Sequence, residues 1–174
     1  MEENKVMTHI TKGLLVALIL IVLGIAAHLA GFENAGWYRW IPLIILFFAI
    51  IWACVYFSNQ MNGQVTFGNL FSHGFKMTAV ITIILILWSV LAITLIFPEM
   101  KEKAIDTARQ QMEDSGQLND SQIDQRLEFT RKYFLLFVIV FSLLGTLIVG
   151  AIASLVGAAV AKKKPVNPLD QMNL

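Results

Sequence analysis

The sequence predicts an all-α integral membrane protein: a four-helix bundle with an extramembrane helical hairpin between its third and fourth spans. Three observations predict it. The 174-residue chain is 57% hydrophobic and only 14% charged, whereas soluble domains carry about a quarter charged residues. The apolar residues gather into four uncharged blocks, and crossing a hydrocarbon core of roughly 30 Å takes about 20 helical residues. One long polar segment of helix formers separates the third block from the fourth.

The first block covers 13–32 and the second 40–57, both rich in Leu, Ile, Val and Ala; the third covers 77–97. The fourth is uncharged from 133 to 161. A crossing needs only about 133–155 of it, so the surplus implies tilt or projection beyond the bilayer. These blocks read as helices and not strands. An unpaired backbone amide in lipid costs several kcal/mol, and the alternation of a barrel strand is missing. Pro42 falls in the first turn of the second helix, where its missing N–H is harmless, and Pro98 closes the third. Glu2 and Glu3 offset Lys5 and Lys12 ahead of the first block, whose apolar run is long for a signal peptide. It is therefore expected to be a retained span.

With four spans both termini share a side, and that side holds Lys5, Lys12, Lys76, Lys162, Lys163 and Lys164. The opposite side holds Arg39 and six basic residues of the long loop, diluted by eight acids between Glu99 and Glu128. The positive-inside rule weights bases close to span ends and gives acids little say, so the lysine run places both termini in the cytoplasm. Trp37, Tyr38, Trp40 and Tyr133 sit at block ends, where interface anchors are found.

In the polar segment 99–132, Ile105, Ala108 and Met112 recur at helical spacing, Ser115 and Gly116 interrupt, and Ile123, Leu127 and Thr130 recur again. This is the pattern of a helical hairpin. Glu99 with Lys103, Arg109 with Glu113 and Glu128 with Lys132 are opposite charges four apart, suited to solvated faces. Gly116 supplies the turn, and Asn119, Asp120 and Ser121 offer capping oxygens for the returning helix. Two readings compete. As a connector, the hairpin consumes its own narrow apolar stripe; as a partner-docking surface, it presents Ile105, Met112, Ile123 and Leu127.

Ahead of the third block, Phe67, Leu70, Phe71 and Phe75 share a helical face, so this stretch is expected to lie flat in the interface. Gly68 and Gly74 permit close approach or a bend. His73 beside Lys76 suits a lipid phosphate or carboxylate, against the plainer reading of a solvated interfacial histidine.

The four spans, the run Gly-Gln-Val-Thr-Phe-Gly-Asn-Leu-Phe-Ser-His-Gly-Phe from Gly63 to Phe75, and the acidic hairpin from Pro98 to Lys132 together resemble one family. It is the bacterial membrane-protein family catalogued as domain of unknown function 4199. The resemblance covers the chain up to Lys164 and implies a multi-pass protein of the Gram-negative inner membrane. It implies no established activity and carries over no catalytic residue.

The four blocks hold no Asp, Glu, Lys or Arg, and His28, near the end of the first, comes nearest to a charge. Charged residues inside a membrane mark ion paths or active sites, so an enzyme is not expected. The hydroxyls of Thr78, Thr82, Ser89, Thr94, Ser142, Thr146 and Ser154 can bond to their own helix carbonyls. His9, His28 and His73 are scattered and lack metal-ligand spacing, and Cys54 reads as an inert small hydrophobe. No cofactor loop, metal site or nucleic-acid patch is predicted.

Small residues do form stripes: Ala17, Gly24 and Gly31 every seven residues, and Thr146, Gly150, Ser154 and Ala158 every four, with Gly157 beside them. Such stripes admit close helix packing, and they predict the first and fourth spans as neighbours. The expected organisation is one membrane domain, 1–164, and a flexible tail, 165–174. Its expected partners are the lipid bilayer and either another copy or a different membrane protein. Lys162, Lys163 and Lys164 would meet anionic headgroups. An accessory or scaffold role in the envelope is the leading expectation. The alternative is an oligomeric channel or transporter for a small solute, lined by Thr78, Thr82, Ser89 and Ser142.

Overall fold

The computed structural model describes residues 7–32 and 35–163, so Lys164 and the tail 165–174 lie outside the described residues. All regular structure among the described residues is helical. The order is α1 (His9–Leu29), a 3-10 turn (Tyr38–Trp40), α2 (Ile41–Gln60), α3 (Phe67–Leu91), a π-helical continuation (Ala92–Ile96), α4 (Glu99–Ser115), α5 (Asp120–Lys132) and α6 (Phe134–Val160).

Four helices are long and apolar enough to cross a membrane: His9–Leu29, Ile41–Gln60, Phe67–Ile96 and Phe134–Val160. Their mean hydropathy lies between 2.5 and 2.8, yet only 33, 28, 17 and 11% of the respective windows are buried by protein. Outward side chains such as Leu18, Phe48, Leu87, Phe141 and Ile152 are exposed. Soluble monomers rarely leave apolar patches above a few hundred Å2 uncovered, so lipid is the solvent these helices require. The chain is a multi-pass membrane protein.

Pro42 occupies the first turn of α2, where a missing N–H breaks no helical bond. Phe97 donates to the carbonyl of Ala92 at 2.7 Å, closing the wide turn that ends the third span, and Pro98 caps α4. The third span starts ten residues before the expected boundary. The Thr66 hydroxyl accepts from the Asn69 N–H at 3.1 Å, starting a helix that runs unbroken from Phe67. The expected flat interfacial segment is therefore the first turns of α3. Its inward line is Leu70, His73, Gly74, Met77, Thr78 and Ile81, all buried, while Phe67 and Phe75 are exposed.

The chain divides into two compact units, Met1–Leu85 with Gly145–Leu174, and Ile86–Leu144. In the first, α1, α2 and the adjoining parts of α3 and α6 share a core of Val16, Ala17, Leu20, Leu46, Ile50, Ala53, Cys54, Met77, Ile81 and Ala153. Small residues set the helix contacts, with partners other than those expected. A Cβ at Gly150 would collide with the Thr78 side chain, one at Gly74 would lie 2.7 Å from Ser154 Oγ, and one at Gly157 would lie 2.9 Å from Cys54 Cβ. The α6 stripe thus packs on α2 and α3. On α1 the close approach is Gly13, whose Cβ would lie 2.9 Å from Val80 Cγ1. Gly24 faces open space and Gly31 lies beyond the helix at φ +72°, so of the seven-residue stripe only Ala17 packs.

In the second unit α4 and α5 pack on each other. Gly116 ends α4 at φ 62°, a left-handed conformation that glycine adopts without a Cβ penalty. Asn119 then opens α5 with a capping box: its side chain accepts from Gln122 N–H at 2.9 Å, and Gln122 Oε1 accepts from Asn119 N–H at 3.1 Å. Ile105, Ile123 and Leu127 are buried between the helices with Ala108, Met112, Leu118 and Phe134 around them. Each such burial from water is worth about 1.5–3 kcal/mol. Arg109 bonds Asp124 at 2.5 Å and Arg131 bonds Glu102 at 2.8 Å across the pair, and Arg109 also meets Glu113 at 3.5 Å. The Asp124 carboxylate holds the Arg109 guanidinium above its already high usual range, so this cation stays charged.

Candidate functional site

The polar cluster of the first unit is built on α1. The Thr8 hydroxyl accepts from Thr11 N–H at 3.2 Å and starts the helix early enough to include His9 and Lys12. Lys12 then falls on the same face as Val16, Ala17 and Leu20, the face that enters the core, and its side chain is 1% exposed. Its ammonium donates to His73 Nε2 at 3.4 Å and lies 4.5 Å from the centre of the Tyr56 ring.

His73 is fixed from two further directions. Its ring stacks on Phe57 at 4.2 Å between centroids with 5° between planes, and the edge of His9 meets it at 5.9 Å. The fold thus brings together His9 and His73, two of the three histidines that look scattered in the sequence. Nearby, Ser58 donates to the Lys162 carbonyl, tying the chain after α6 to α2, and Lys163 lies 5.2 Å from the Phe67 ring. The sequence-predicted pair Lys162 and Lys163 is exposed.

An open cleft of about 430 Å3 borders this cluster, lined by the chain from Met7 to Ile10, by Phe57, and by Asn69, Ser72, His73 and Lys76. The described residues of this unit include no aspartate or glutamate at all; every described carboxylate side chain belongs to α4, α5 and the turn between them. Lys12 is therefore buried against an imidazole and an aromatic face. A cation–π contact returns about 0.5–2 kcal/mol, while burying an ammonium costs several. The arrangement is electropositive and lacks a countercharge among the described residues of its unit.

The expected docking residues of the second unit stand differently from one another. Ile105, Ile123 and Leu127 are 3, 1 and 6% exposed and are spent on the contact between α4 and α5. Met112 is half-buried at the margin of a groove formed with Gln125, Arg126, Phe129 and Thr130. Phe129 is 57% exposed and begins an aromatic ridge, 4.8 Å from Tyr133 and 5.9 Å from Phe137. The exposed aromatic of this groove is Phe129, which sequence periodicity did not single out. The hydroxyls of Thr78, Thr82 and Ser154 bond the carbonyls of Gly74, Thr78 and Gly150 at 3.0, 2.9 and 2.6 Å. Among the described residues no three His, Cys, Asp or Glu side chains gather as a metal site would.

No curated protein and no solved structure matches the chain significantly. A family match runs through both units, from residue 11 to residue 163. The chain belongs to the family described as Protein of unknown function (DUF4199).

Proposed function

We propose that this protein is an accessory or scaffold component of the bacterial inner membrane that works by contact and performs no chemistry of its own. The observation that carries the reading is the α4–α5 pair. It is ordered by its own apolar seam and two cross-helix ion pairs, yet it leaves Phe129 exposed beside Met112 and Arg126. An exposed aromatic flanked by a methionine and an arginine has the composition of an interface anchor. With four crossings, the segment between the third and fourth spans emerges opposite the termini. The lysine-rich end then faces the cytoplasm, and α4–α5 stands on the outer side as an extramembrane hairpin available to the periplasmic part of another membrane protein.

The alternative, an oligomeric channel for a small solute, has less support. Thr78 and Thr82, which would line its lane, are fully or nearly fully buried and give their hydroxyl protons to their own helix.

Affinity purification of the full-length tagged protein from its native membrane in mild detergent tests the proposal, compared with a Phe129→Ser variant. A stoichiometric partner that the variant loses at unchanged protein level is the expected result. Purification alone, or with the same partner in both forms, overturns the docking role of α4–α5. Changing Ile123 or Leu127 would be uninformative, because their loss opens the pair itself.

A further inference from the structure

We propose that the cleft beside Lys12 binds a phosphate group, presented by the headgroup of an anionic phospholipid. The polar side chains around it all carry donors. Lys76, His9 and His73 supply cationic or N–H donors, and Thr8, Ser72 and Asn69 supply neutral ones. None of the residues that line the cleft is a carboxylate, so no described side chain of its wall carries a charge that repels an anion. A tetrahedral phosphate, with several acceptor oxygens, suits a ring of donors drawn from two helices.

The buried lysine gives the second argument, independent of the lining. Lys12 is 1% exposed, and its polar contacts among the described residues are His73 and the Tyr56 ring. It adjoins the cleft through His73, whose Nε2 lies 3.4 Å from its Nζ and which itself lines the cleft. An anion seated against His73 supplies a countercharge that no described residue of this unit offers, and in doing so it stabilises the folded state. The N-terminus of α1 adds its dipole at the same point: Thr8, His9 and Ile10 line the cleft, and the first N–H groups of a helix have no intrahelical acceptor.

A lipid is favoured over a soluble phosphate because the polar cleft continues into apolar surface. Ile10 lines it and is 57% exposed, Leu14 one turn further along α1 is 46% exposed, and Phe75 on α3 is 36% exposed. Acyl chains would lie along these side chains while the phosphate sits among the donors. Lys162 and Lys163 extend the same basic character along the chain that Ser58 anchors to α2.

The test uses the full-length protein in a neutral detergent and follows its thermal unfolding midpoint. Dioleoyl phosphatidylglycerol, dioleoyl phosphatidylcholine and inorganic phosphate are added in separate titrations. The wild type is compared with Lys76→Gln and with Arg126→Gln, a charge control on α5. Phosphatidylglycerol should raise the midpoint where phosphatidylcholine does not, and Lys76→Gln should raise its half-saturating concentration about fivefold, the effect of about 1 kcal/mol per interfacial cation. Arg126→Gln should match the wild type. Equal effects of the two lipids, retention of the wild-type response in Lys76→Gln, or equal weakening in Arg126→Gln overturns the proposal. A response to inorganic phosphate as large as that to phosphatidylglycerol, weakened by Lys76→Gln, retains the phosphate cleft but overturns its assignment to lipid. Should Lys76→Gln not fold, Lys76→Arg against wild type serves instead, with phosphatidylglycerol retained on the purified protein read by native mass spectrometry. Lipid retained by both forms supports the cleft, and lipid retained by neither overturns it.

Discussion

Replacing Gly150 by alanine probes the contact on which the first unit depends. The new methyl would collide with Thr78 Cγ2 and Oγ1 and lie 2.8 Å from its Cβ. Thr78 has little room to yield: it is fully buried, β-branched and therefore stiff at χ1, and bonded through its hydroxyl to Gly74 O. The helices must separate or the threonine must leave its rotamer, and overpacking of this kind costs about 1–3 kcal/mol. Gly24→Ala is the matched control, because nothing lies within 4 Å of a Cβ there; inside a helix it should be neutral or stabilising by up to about 1 kcal/mol. Unfolding in mixed micelles of mild detergent and SDS, followed by tryptophan fluorescence, measures both. Adding Thr78→Ala removes the two nearest obstructing atoms while leaving the helix backbone bonds in place. The double variant should therefore recover about 1 kcal/mol or more relative to the sum of the single variants. Gly150→Ala equal to Gly24→Ala, or strictly additive with Thr78→Ala, would refute the packing assigned to α3 and α6.

Three further outcomes follow from the same geometry. Lys12→Met keeps the buried stem and removes the ammonium, so the lipid-free protein should be as stable as wild type or more so, whereas Lys12→Ala opens a cavity and should cost about 2 kcal/mol or more in the same unfolding assay. Asn119→Ala removes the capping box of α5 and should lower protection of the α5 amides by about 1 kcal/mol in hydrogen exchange, leaving the spans unchanged. Raising NaCl to about 0.5 M screens the exposed pairs of Arg109 with Asp124 and Arg131 with Glu102, so amide exchange in α4 and α5 should quicken while exchange in α1 to α3 does not.

Much of this architecture is legible in the residues because the bilayer imposes so strict a rule. Length and hydropathy alone locate four spans, and Gly116 and the Asn119 region mark the turn between α4 and α5 through local chemistry. The errors lie where a boundary or a pairing depends on distant residues. Lys12 reads as a flanking charge because a lysine next to an apolar block usually snorkels to the headgroups. The Thr8 cap starts α1 one turn earlier, and the register then carries Lys12 inward with Val16 and Ala17. Its place on that face is the signal that was available. His9 and His73 are 64 positions apart in the sequence, and only the packing of α1 on α3 reveals that they meet. The stripes of small residues correctly point to close contact, yet a stripe does not name its partner: Gly150 and Gly157 meet Thr78 and Cys54, not α1. Phe129 escaped notice because it lies off the periodic face that forms the α4–α5 seam.

In the proposed topology the chain crosses the membrane four times, with α4 and α5 in water on the side opposite the basic helix ends. Cysteine accessibility tests it directly, since Cys54 is the single native cysteine and is fully buried. Gln117→Cys, in the turn between α4 and α5, and Lys163→Cys, after α6, would each be exposed to a membrane-impermeant maleimide in intact spheroplasts. Gln117→Cys should be labelled at once and Lys163→Cys only after the membrane is opened. Labelling of both from the same side, or a Gln117→Cys thiol shielded on both sides, would contradict it.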